Sequence, residues 1–248
     1  MAASIVLGGS LLVLAQTTPP DNAYSRWSKA EAEKVLNDSP WVSVQEVRIR
    51  KTGTAQRVAG APPSLVRDET NSIASGGSDV PIDFIFTLRL RSGLPIREAL
   101  ARLKQLEGKY DSMNEKQRDA FDAGVKGLLD CPACENNYVV TLSSKSKNSP
   151  GADAVFTTFK GARIEDIKRY IYIANEHGER RELVHMVPPR APGEEAIFFF
   201  PRLDDKGMPL FTPSSKEVVV NLTNNEVNIS TNFRLDVSKL VRNGQLLF

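Results

Sequence analysis

The spacing of apolar residues changes in the middle of the chain. Between residues 94 and 130 apolar residues recur every three or four positions, which is typical of amphipathic helices. From residue 135 onward they fall into roughly seven short runs, mostly alternating and separated by Gly, Pro and Asn, which is typical of strands. Strands grouped after helices favour an α+β fold over a parallel α/β fold. We therefore predict an N-terminal helix and two central helices, packed on an antiparallel sheet or sandwich that dominates the C-terminal half.

Capping signals predict where the helices begin. Ser28 and Glu31 have the spacing of a capping box within a first helix predicted over residues 24–38. Pro95 stands in the first turn of a second helix, where its missing N–H costs nothing. The apolar stripe of that helix is formed by Ile96, Ala99, Leu100, Leu103 and Leu106, with Arg102 assigned to the polar face.

A third helix is predicted to begin at a capping box formed by Ser112 and Glu115 and to end at residue 130. Gly124 and Gly127 weaken it, because glycine costs about 1 kcal/mol against alanine in a helix interior. We interpret the two glycines as positions of close packing against another backbone.

Strand patterns occupy most of the remaining chain. The run over residues 82–90 alternates apolar and mostly polar residues, so one face is expected to be buried. Residues 170–174 and 182–187 are predicted to form a hairpin, and residues 196–200 a strand buried on both faces. A further hairpin is expected to turn at Asn224-Asn225, and Asn243-Gly244 is predicted to be a turn.

The ends and linkers define the predicted domain organisation. Residues 1–15 are apolar and uncharged, too short for a stable membrane span, and are predicted to be a signal peptide cleaved before Gln16. Residues 16–24 are assigned as a spacer and residues 25–248 as a single α+β domain. That domain is divided into a mobile loop over 52–80, a helical middle over 94–130 and a β-rich half over 135–248. No other stretch is apolar enough to form a transmembrane span.

The charge balance argues against one class of partner. The chain has 32 Lys and Arg and 30 Asp and Glu residues, for a net charge of +2, and its basic residues are dispersed. A nucleic-acid interface requires a basic stripe. We therefore expect no nucleic-acid partner, and an unknown protein or envelope ligand instead.

Three stretches resemble a group of uncharacterised exported bacterial proteins, some of which carry a GWxTD module. They are Trp27 with LNDSPW at residues 36–41, RLRSGLP at residues 89–95 with Arg97, and VPPRAPGEEAIFFFPRLDDKGMPL at residues 187–210. The GWxTD motif itself is absent from the sequence, so nothing tied to that module is transferred. The resemblance implies export and a bacterial source, and it implies no mechanism.

The Cys131-Pro132-Ala133-Cys134 segment contains the only cysteines of the chain. In an exported protein the pair is expected to form a short-loop disulfide that fastens a helix to the next strand. A redox-active pair, with Cys131 attacking and Cys134 resolving, is an alternative. The C-terminal end of the preceding helix disfavours a thiolate at Cys131. A metal site is a third reading, but a closed zinc site needs four ligands.

Enzymatic chemistry has weak support in the sequence. His177 and His185 are isolated in a predicted turn and strand, and neither a G-x-S-x-G nor a phosphate-binding glycine motif occurs. Adjacent carboxylates at 165–166, 194–195 and 204–205 leave a hydrolase with a carboxylate site as a remote alternative. The aromatic residues Tyr170, Tyr172 and Phe198–Phe200 are assigned to core packing rather than to a binding face.

These features lead to one functional expectation. We expect a periplasmic or secreted, non-enzymatic binding or structural protein of the bacterial cell envelope, with a Cys131–Cys134 disulfide and without catalytic residues, cofactor or metal. A thiol–disulfide active protein is the first alternative and a hydrolase the second.

Overall fold

The computed structural model describes residues 19–20, 23–49, 81–224 and 229–248. The predicted signal peptide at 1–15 and the predicted loop at 52–80 lie outside the described residues, as does most of the predicted spacer.

The strands form two main antiparallel sheets and one small hairpin. The first sheet contains β1 (Val42–Ile49), β2 (Ile82–Leu90), β3 (Asn137–Ser146), β6 (His185–Val187) and β7 (Ala196–Pro201), in the order β1-β2-β3-β7-β6. The second contains β4 (Ile171–Ala174), β5 (Arg180–Glu182), β8 (Glu217–Asn224) and β9 (Ile229–Asp236), in the order β5-β4-β8-β9. The hairpin joins β10 (Val241–Arg242) to β11 (Gln245–Leu246).

The two main sheets share one hydrophobic core. Phe86, Phe198 and Phe200 of the first sheet belong to the same buried cluster as Ile173 and Phe233 of the second. The sheets also meet at their edges, where β9 lies beside β1 and the Arg234 N–H donates to Ser43 Oγ at 3.3 Å. The predicted α+β class with antiparallel sheets is confirmed.

The described residues also form six α-helices. They are α1 (Lys29–Asn37), α2 (Leu94–Glu107), α3 (Glu115–Asp130), α4 (Pro132–Asn136), α5 (Ala154–Phe159) and α6 (Ile164–Ile167), with 3-10 turns at Tyr24–Arg26, Tyr110–Ser112 and Val237–Lys239. The predicted capping box of α1 is confirmed, with the Glu31 N–H donating to Ser28 Oγ and the Ser28 N–H to the Glu31 carboxylate. The predicted start at residue 24 was wrong for the α-helix, because residues 24–26 form a 3-10 turn.

The buried face of α2 differs from the predicted stripe. Ile96 and Ala99 are buried as expected, but Ala101, Arg102 and Gln105 are buried as well. Helix α1 and the turn before it pack against α2, so a second side of α2 is covered. The assignment of Arg102 to a solvent-facing polar side was therefore wrong.

Helix α3 is capped and packed differently from the prediction. Asn114 and Gln117 form its capping box, because residues 110–112 form a 3-10 turn and the helix begins three residues after Ser112. Among its residues only Val125 is buried. A Cβ added at Gly124 or Gly127 meets no atom within 4 Å, so the predicted close packing at the glycines was wrong.

The open surroundings of Gly124 give a stability prediction. We expect Gly124→Ala to raise the free energy of unfolding by about 0.8 kcal/mol, because alanine loses less backbone entropy in a helix and meets no neighbour here. Urea denaturation of the oxidised protein measures this change. A decrease in stability would contradict the exposed position of this side of α3.

Two strand predictions also need correction. Residues 182–187 do not form one strand, because Arg180–Glu182 pairs with β4 while His185–Val187 crosses to the first sheet and pairs with β7. Strand β7 alternates buried and half-buried residues instead of burying both faces. The predicted pairing of β8 with β9 is confirmed, but Asn224 is the last residue of β8, opposite Ile229, and not a turn residue. The second predicted turn residue, Asn225, lies outside the described residues. The turn at Asn243-Gly244 is also confirmed, with positive φ angles of 51° and 74°.

Candidate functional site

The cysteine pair lies where α3 gives way to β3. Cys131 follows the last residue of α3 and adopts a left-handed backbone with φ 46°, which turns the chain sharply. Pro132 then opens the short helix α4, for which Cys131 is also the N-cap. A disulfide of 1.96 Å joins Cys131 and Cys134. The expected direct passage from helix to strand is thus interrupted by one helical turn, which the disulfide closes.

The two cysteines differ in burial. Cys134 is buried, whereas Cys131 is half-buried. Both line a cavity of about 340 Å³ between the start of α2, the end of α3 and the C-terminal hairpin. Its other lining residues are Ser92, Leu94, Arg97, Asp130, Glu135, Arg202, Leu246, Leu247 and Phe248.

Arg202 is held rigidly against the disulfide loop. Its Nε donates to the Cys134 carbonyl oxygen at 2.7 Å and its Nη1 to the main-chain oxygen of Phe248 at 2.9 Å. The guanidinium also stacks over the Tyr138 ring at 4.8 Å from the centroid. Burial lowers the pKa of Arg202 from its usual value. One side chain therefore connects α4, the end of β7 and the C-terminal segment.

Arg97 approaches the same cavity from α2. It donates to the Leu129 carbonyl oxygen and, at 3.4 Å, to the Ser92 carbonyl oxygen, while its buried Nε has no hydrogen-bond partner. Burial lowers the pKa of Arg97, and the charge of Arg202 acts in the same direction, whereas the acidic neighbours Glu98 and Asp130 raise it. Arg97 therefore has counter-charges nearby, although neither it nor Arg202 belongs to a close side-chain ion pair in the described part of the chain.

The charges around Cys131 have mixed signs. The C-terminal end of α3 carries a partial negative charge, and the carboxylates of Asp130 and Glu135 line the cavity. Asp130 accepts a hydrogen bond from the Lys126 ammonium group, which partly neutralises it. Arg97 and Arg202 contribute positive charge to the same lining. The two arginines and the two carboxylates have equal and opposite formal charges, so the cavity has no strong preference for a ligand of either sign.

The predicted carboxylate pairs are not brought together. Glu165 and Asp166 contact Lys168 and Arg163 within their own turn. Glu195 pairs with Arg89 at 2.6 Å, in the first sheet. Glu194 accepts a hydrogen bond from the Arg190 N–H. Asp204 accepts hydrogen bonds from the Lys206 and Met208 N–H groups of its own turn.

The two histidines lie on different sheets. His177 stands in the turn between β4 and β5, with its Nε2 at 3.5 Å from Glu176 Oε1. His185 stacks on Phe199 in the first sheet, with ring centroids 5.0 Å apart. Among the described residues, no group of three His, Cys, Asp or Glu side chains has the geometry to hold a metal ion.

The aromatic residues divide between core and surface. Phe198 and Phe200 are buried, whereas Tyr170 is 45% exposed. Core packing is therefore confirmed for Phe198 and Phe200 and wrong for Tyr170, which precedes the first residue of β4. Tyr172 and Phe199 are half-buried.

The sequence reasoning overlooked Arg97 and Arg202. The basic residues are dispersed along the sequence, so neither arginine stood out from the others. A signal was nevertheless present: Arg97 follows the Gly93-Leu94-Pro95 helix start and Arg202 follows the Phe198–Pro201 strand. An arginine beside such buried elements is a candidate for a half-buried guanidinium.

No family model, curated protein or solved structure matches the chain. The helices in the described ranges are all too short or too polar to cross a membrane. The geometry around Cys131 and Cys134 is therefore the observation from which a function can be inferred.

Proposed function

We propose that the protein is an exported, non-enzymatic binding or structural protein of the bacterial cell envelope, in which the Cys131–Cys134 disulfide is a structural staple. The observation that carries this proposal is the set of contacts around the disulfide loop. The Cys131 N–H donates to the Gly127 carbonyl oxygen at 3.1 Å, and the Cys134 carbonyl oxygen accepts from Arg202. The loop is thereby fixed to α3 on one side and to β7 on the other.

Export is supported by the cysteine chemistry and by the N-terminal sequence. Disulfides persist in oxidising compartments and are rare in the cytosol. The apolar residues 4–15 and the resemblance to exported bacterial proteins point the same way. A periplasmic or secreted location belongs to this proposal, as does the membership of that bacterial group.

The second candidate function is thiol–disulfide exchange. It is favoured by one observation: both cysteines line the cavity, and Cys131 is less buried than Cys134, as is expected of an attacking and a resolving thiol. The Cys131 thiolate would attack a substrate disulfide and release one substrate thiolate. Cys134 would then displace the second substrate thiolate, leaving the substrate reduced and the Cys131–Cys134 disulfide formed.

Two features oppose this exchange reaction. Cys131 stands at the C-terminal end of the 16-residue helix α3, whose dipole destabilises a thiolate. Cys131 is also the N-cap of α4, whose dipole acts in the opposite direction but arises from only 5 residues. Asp130 is its direct neighbour and adds negative charge. The hydrolase alternative gains nothing from the fold, because the carboxylate pairs are engaged separately in their own turns and ion pairs.

The reduction potential of the pair separates the two candidates. For a structural staple we expect a potential below about −300 mV, because the folded loop stabilises the oxidised form. The double variant Cys131→Ser/Cys134→Ser is expected to lose about 2 kcal/mol of unfolding free energy, the entropic contribution of so small a loop. A potential near that of disulfide isomerases, together with reduction of insulin by the reduced protein, would instead support exchange.

The location is tested by expressing the full chain in a bacterial host and isolating the periplasm. Mass spectrometry is expected to show a chain that begins at Gln16 and carries no free thiol. Full-length protein confined to the cytoplasm, with both thiols free, would contradict export and the staple together.

A further inference from the structure

We propose that the Cys131–Cys134 disulfide is a redox-controlled latch for the final segment, residues 246–248. In the oxidised protein the disulfide loop holds Arg202, and Arg202 holds the final segment. Reduction releases the final segment while the two main sheets stay folded. This inference rests on the structural role proposed for the disulfide and names the part of the protein that this role controls.

The backbone at Cys131 needs a constraint to keep its conformation. Its φ of 46° and ψ of 69° lie in the left-handed region, which is unfavourable for a residue with a Cβ. Pro132 follows, and a residue before proline prefers an extended backbone. Such a conformation persists only where its surroundings impose it, and the 5-residue helix α4 is too short to be stable alone. The disulfide that closes this turn therefore helps to fix the position of the Cys134 carbonyl group.

Helix α4 holds Arg202 through two main-chain oxygens. The Cys134 carbonyl oxygen accepts a hydrogen bond from Arg202 Nε at 2.7 Å, and the Asn136 carbonyl oxygen accepts one from the Arg202 N–H at 3.0 Å. Both acceptors belong to the helical turn that the disulfide closes. The direction of the Arg202 side chain therefore depends on the disulfide.

Arg202 in turn holds the final segment. Its Nη1 donates to the main-chain oxygen of Phe248 at 2.9 Å, and its guanidinium lies over the Tyr138 ring. The Phe248 ring packs against Tyr138 and Phe211, with both centroid distances 6.0 Å. A hydrogen bond from a charged donor is stronger than one between neutral groups. Arg202 thus connects the disulfide loop to the residue that seats the final segment.

The final segment has little regular structure of its own. Strands β10 and β11 contain two residues each, and a two-stranded hairpin is at best marginally stable alone. Leu247 adds a hydrogen bond from its N–H to the Leu240 carbonyl oxygen at 3.0 Å and accepts one from the Leu94 N–H at 2.9 Å. Segments with few such contacts open at a lower free energy than core strands. The final segment can therefore open while the sheets stay folded.

A small dithiol such as dithiothreitol reduces the disulfide. The reagent gives up two electrons and two protons and becomes a cyclic disulfide, while Cys131 and Cys134 become free thiols. Cys131 is then free to take the extended backbone that residues before proline prefer. The Cys134 carbonyl oxygen moves away from Arg202 Nε as a result, and Phe248 loses its fixed donor.

Backbone ¹⁵N relaxation of the full-length protein measures this release in the folded state. We expect the order parameters of Leu246 and Leu247 to fall from about 0.85 in the oxidised protein to below about 0.6 after reduction. The amides of β2 are expected to stay near about 0.85 in both states. Alkylation followed by mass spectrometry checks that both thiols are free. Cys131→Ser/Cys134→Ser is expected to behave like the reduced protein.

A matched pair of arginine substitutions tests the connection between the disulfide and the final segment. Arg202→Met removes the connecting donors, so the final segment is expected to be mobile in both redox states, with a further change on reduction of less than about 0.1 in the order parameter. Arg97 lines the same cavity but donates to Leu129 and Ser92 instead. Arg97→Met is therefore expected to keep the full redox dependence. Thermal unfolding checks that both variants are folded.

Unchanged order parameters at Leu246 and Leu247 after reduction would overturn the latch. So would an equal decrease in β2, which would show a general loosening, or a full redox dependence that persists in Arg202→Met. The reduction potential tests the staple separately. A low potential with a rigid final segment would contradict the latch alone, whereas a potential near that of disulfide isomerases with a released segment would contradict the staple alone.

Discussion

Replacing Arg102 with methionine is expected to lower the free energy of unfolding by about 3 kcal/mol. The Arg102 side chain is 6% exposed, and its Nε donates to the Trp27 carbonyl oxygen at 2.6 Å. Its Nη1 also lies 3.4 Å from Oε1 of the buried Gln105. Methionine keeps most of the packing of the stem but removes the hydrogen bonds that the guanidinium donates to the carbonyl oxygen and to the amide. A hydrogen bond that involves a charged group contributes about 1.5–3 kcal/mol.

The ion pair of Arg102 contributes less than its hydrogen bonds. Its partner Asp111 has a side chain that is 68% exposed, with Oδ2 at 3.3 Å from Arg102 Nη2. Exposed ion pairs contribute about 0–1 kcal/mol to the free energy of unfolding. Asp111→Asn is therefore expected to cost less than 1 kcal/mol. Arg163→Met serves as the matched surface control, because the Arg163 side chain is 80% exposed. This substitution is expected to change the free energy of unfolding by less than about 0.5 kcal/mol.

Urea denaturation of the three variants measures these differences. Arg102→Met within about 0.5 kcal/mol of the unchanged protein would show that water replaces the lost donors. That result would contradict the burial of this arginine between α1 and α2. A large effect of Asp111→Asn, equal to that of Arg102→Met, would place the stabilisation in the ion pair instead.

Arg102 also shows where sequence reasoning stops. The 3.6-residue periodicity of α2 predicted the burial of Ile96 and Ala99, because one apolar stripe must face the core. It could not reveal the second covered side, which depends on α1 and on Trp27, 75 positions earlier in the chain. Local pattern determines which residues can be buried on one side, whereas chain topology determines how many sides a helix buries.

The strands illustrate the same limit. Alternation over residues 82–90 predicted the buried face of β2, since successive side chains point to opposite sides. The division of residues 180–187 between two sheets was not predictable, because β5 and β6 contain three residues each and have no period of their own. The sheet to which each of these short strands belongs depends on its pairing partner, β4 for β5 and β7 for β6.

The candidate site was predicted only in its covalent part. Cys131 and Cys134 are close in sequence and could be paired from their spacing. The arginines that surround them come from the start of α2 and the end of β7, and their approach depends on how these elements pack. The sequence around Arg97 and Arg202 does not show that they approach the cysteine pair. It shows only that each stands beside a structured segment.

Gly93 has a close contact that predicts the second large effect. We expect Gly93→Ala to lower the free energy of unfolding by about 3 kcal/mol, the upper range for overpacking. A Cβ at this position would lie 2.3 Å from Trp41 Cδ1 and 3.0 Å from the Leu90 carbonyl oxygen. Trp41 is buried against the core, so it has little room to move away, and the Leu90 oxygen belongs to the backbone of β2.

The cause of that loss can be separated from a general effect of alanine. Gly124→Ala makes the same chemical change in open surroundings and is expected to be stabilising, opposite in sign to Gly93→Ala. Trp41→Leu removes the ring atoms that clash with the new Cβ, at its own cost in packing. If the contact is responsible, the double variant Gly93→Ala/Trp41→Leu should be at least about 1 kcal/mol more stable than the sum of the single changes implies. Additive effects in urea denaturation would place the strain at the Leu90 carbonyl oxygen, in the turn between β2 and α2, rather than at the indole ring.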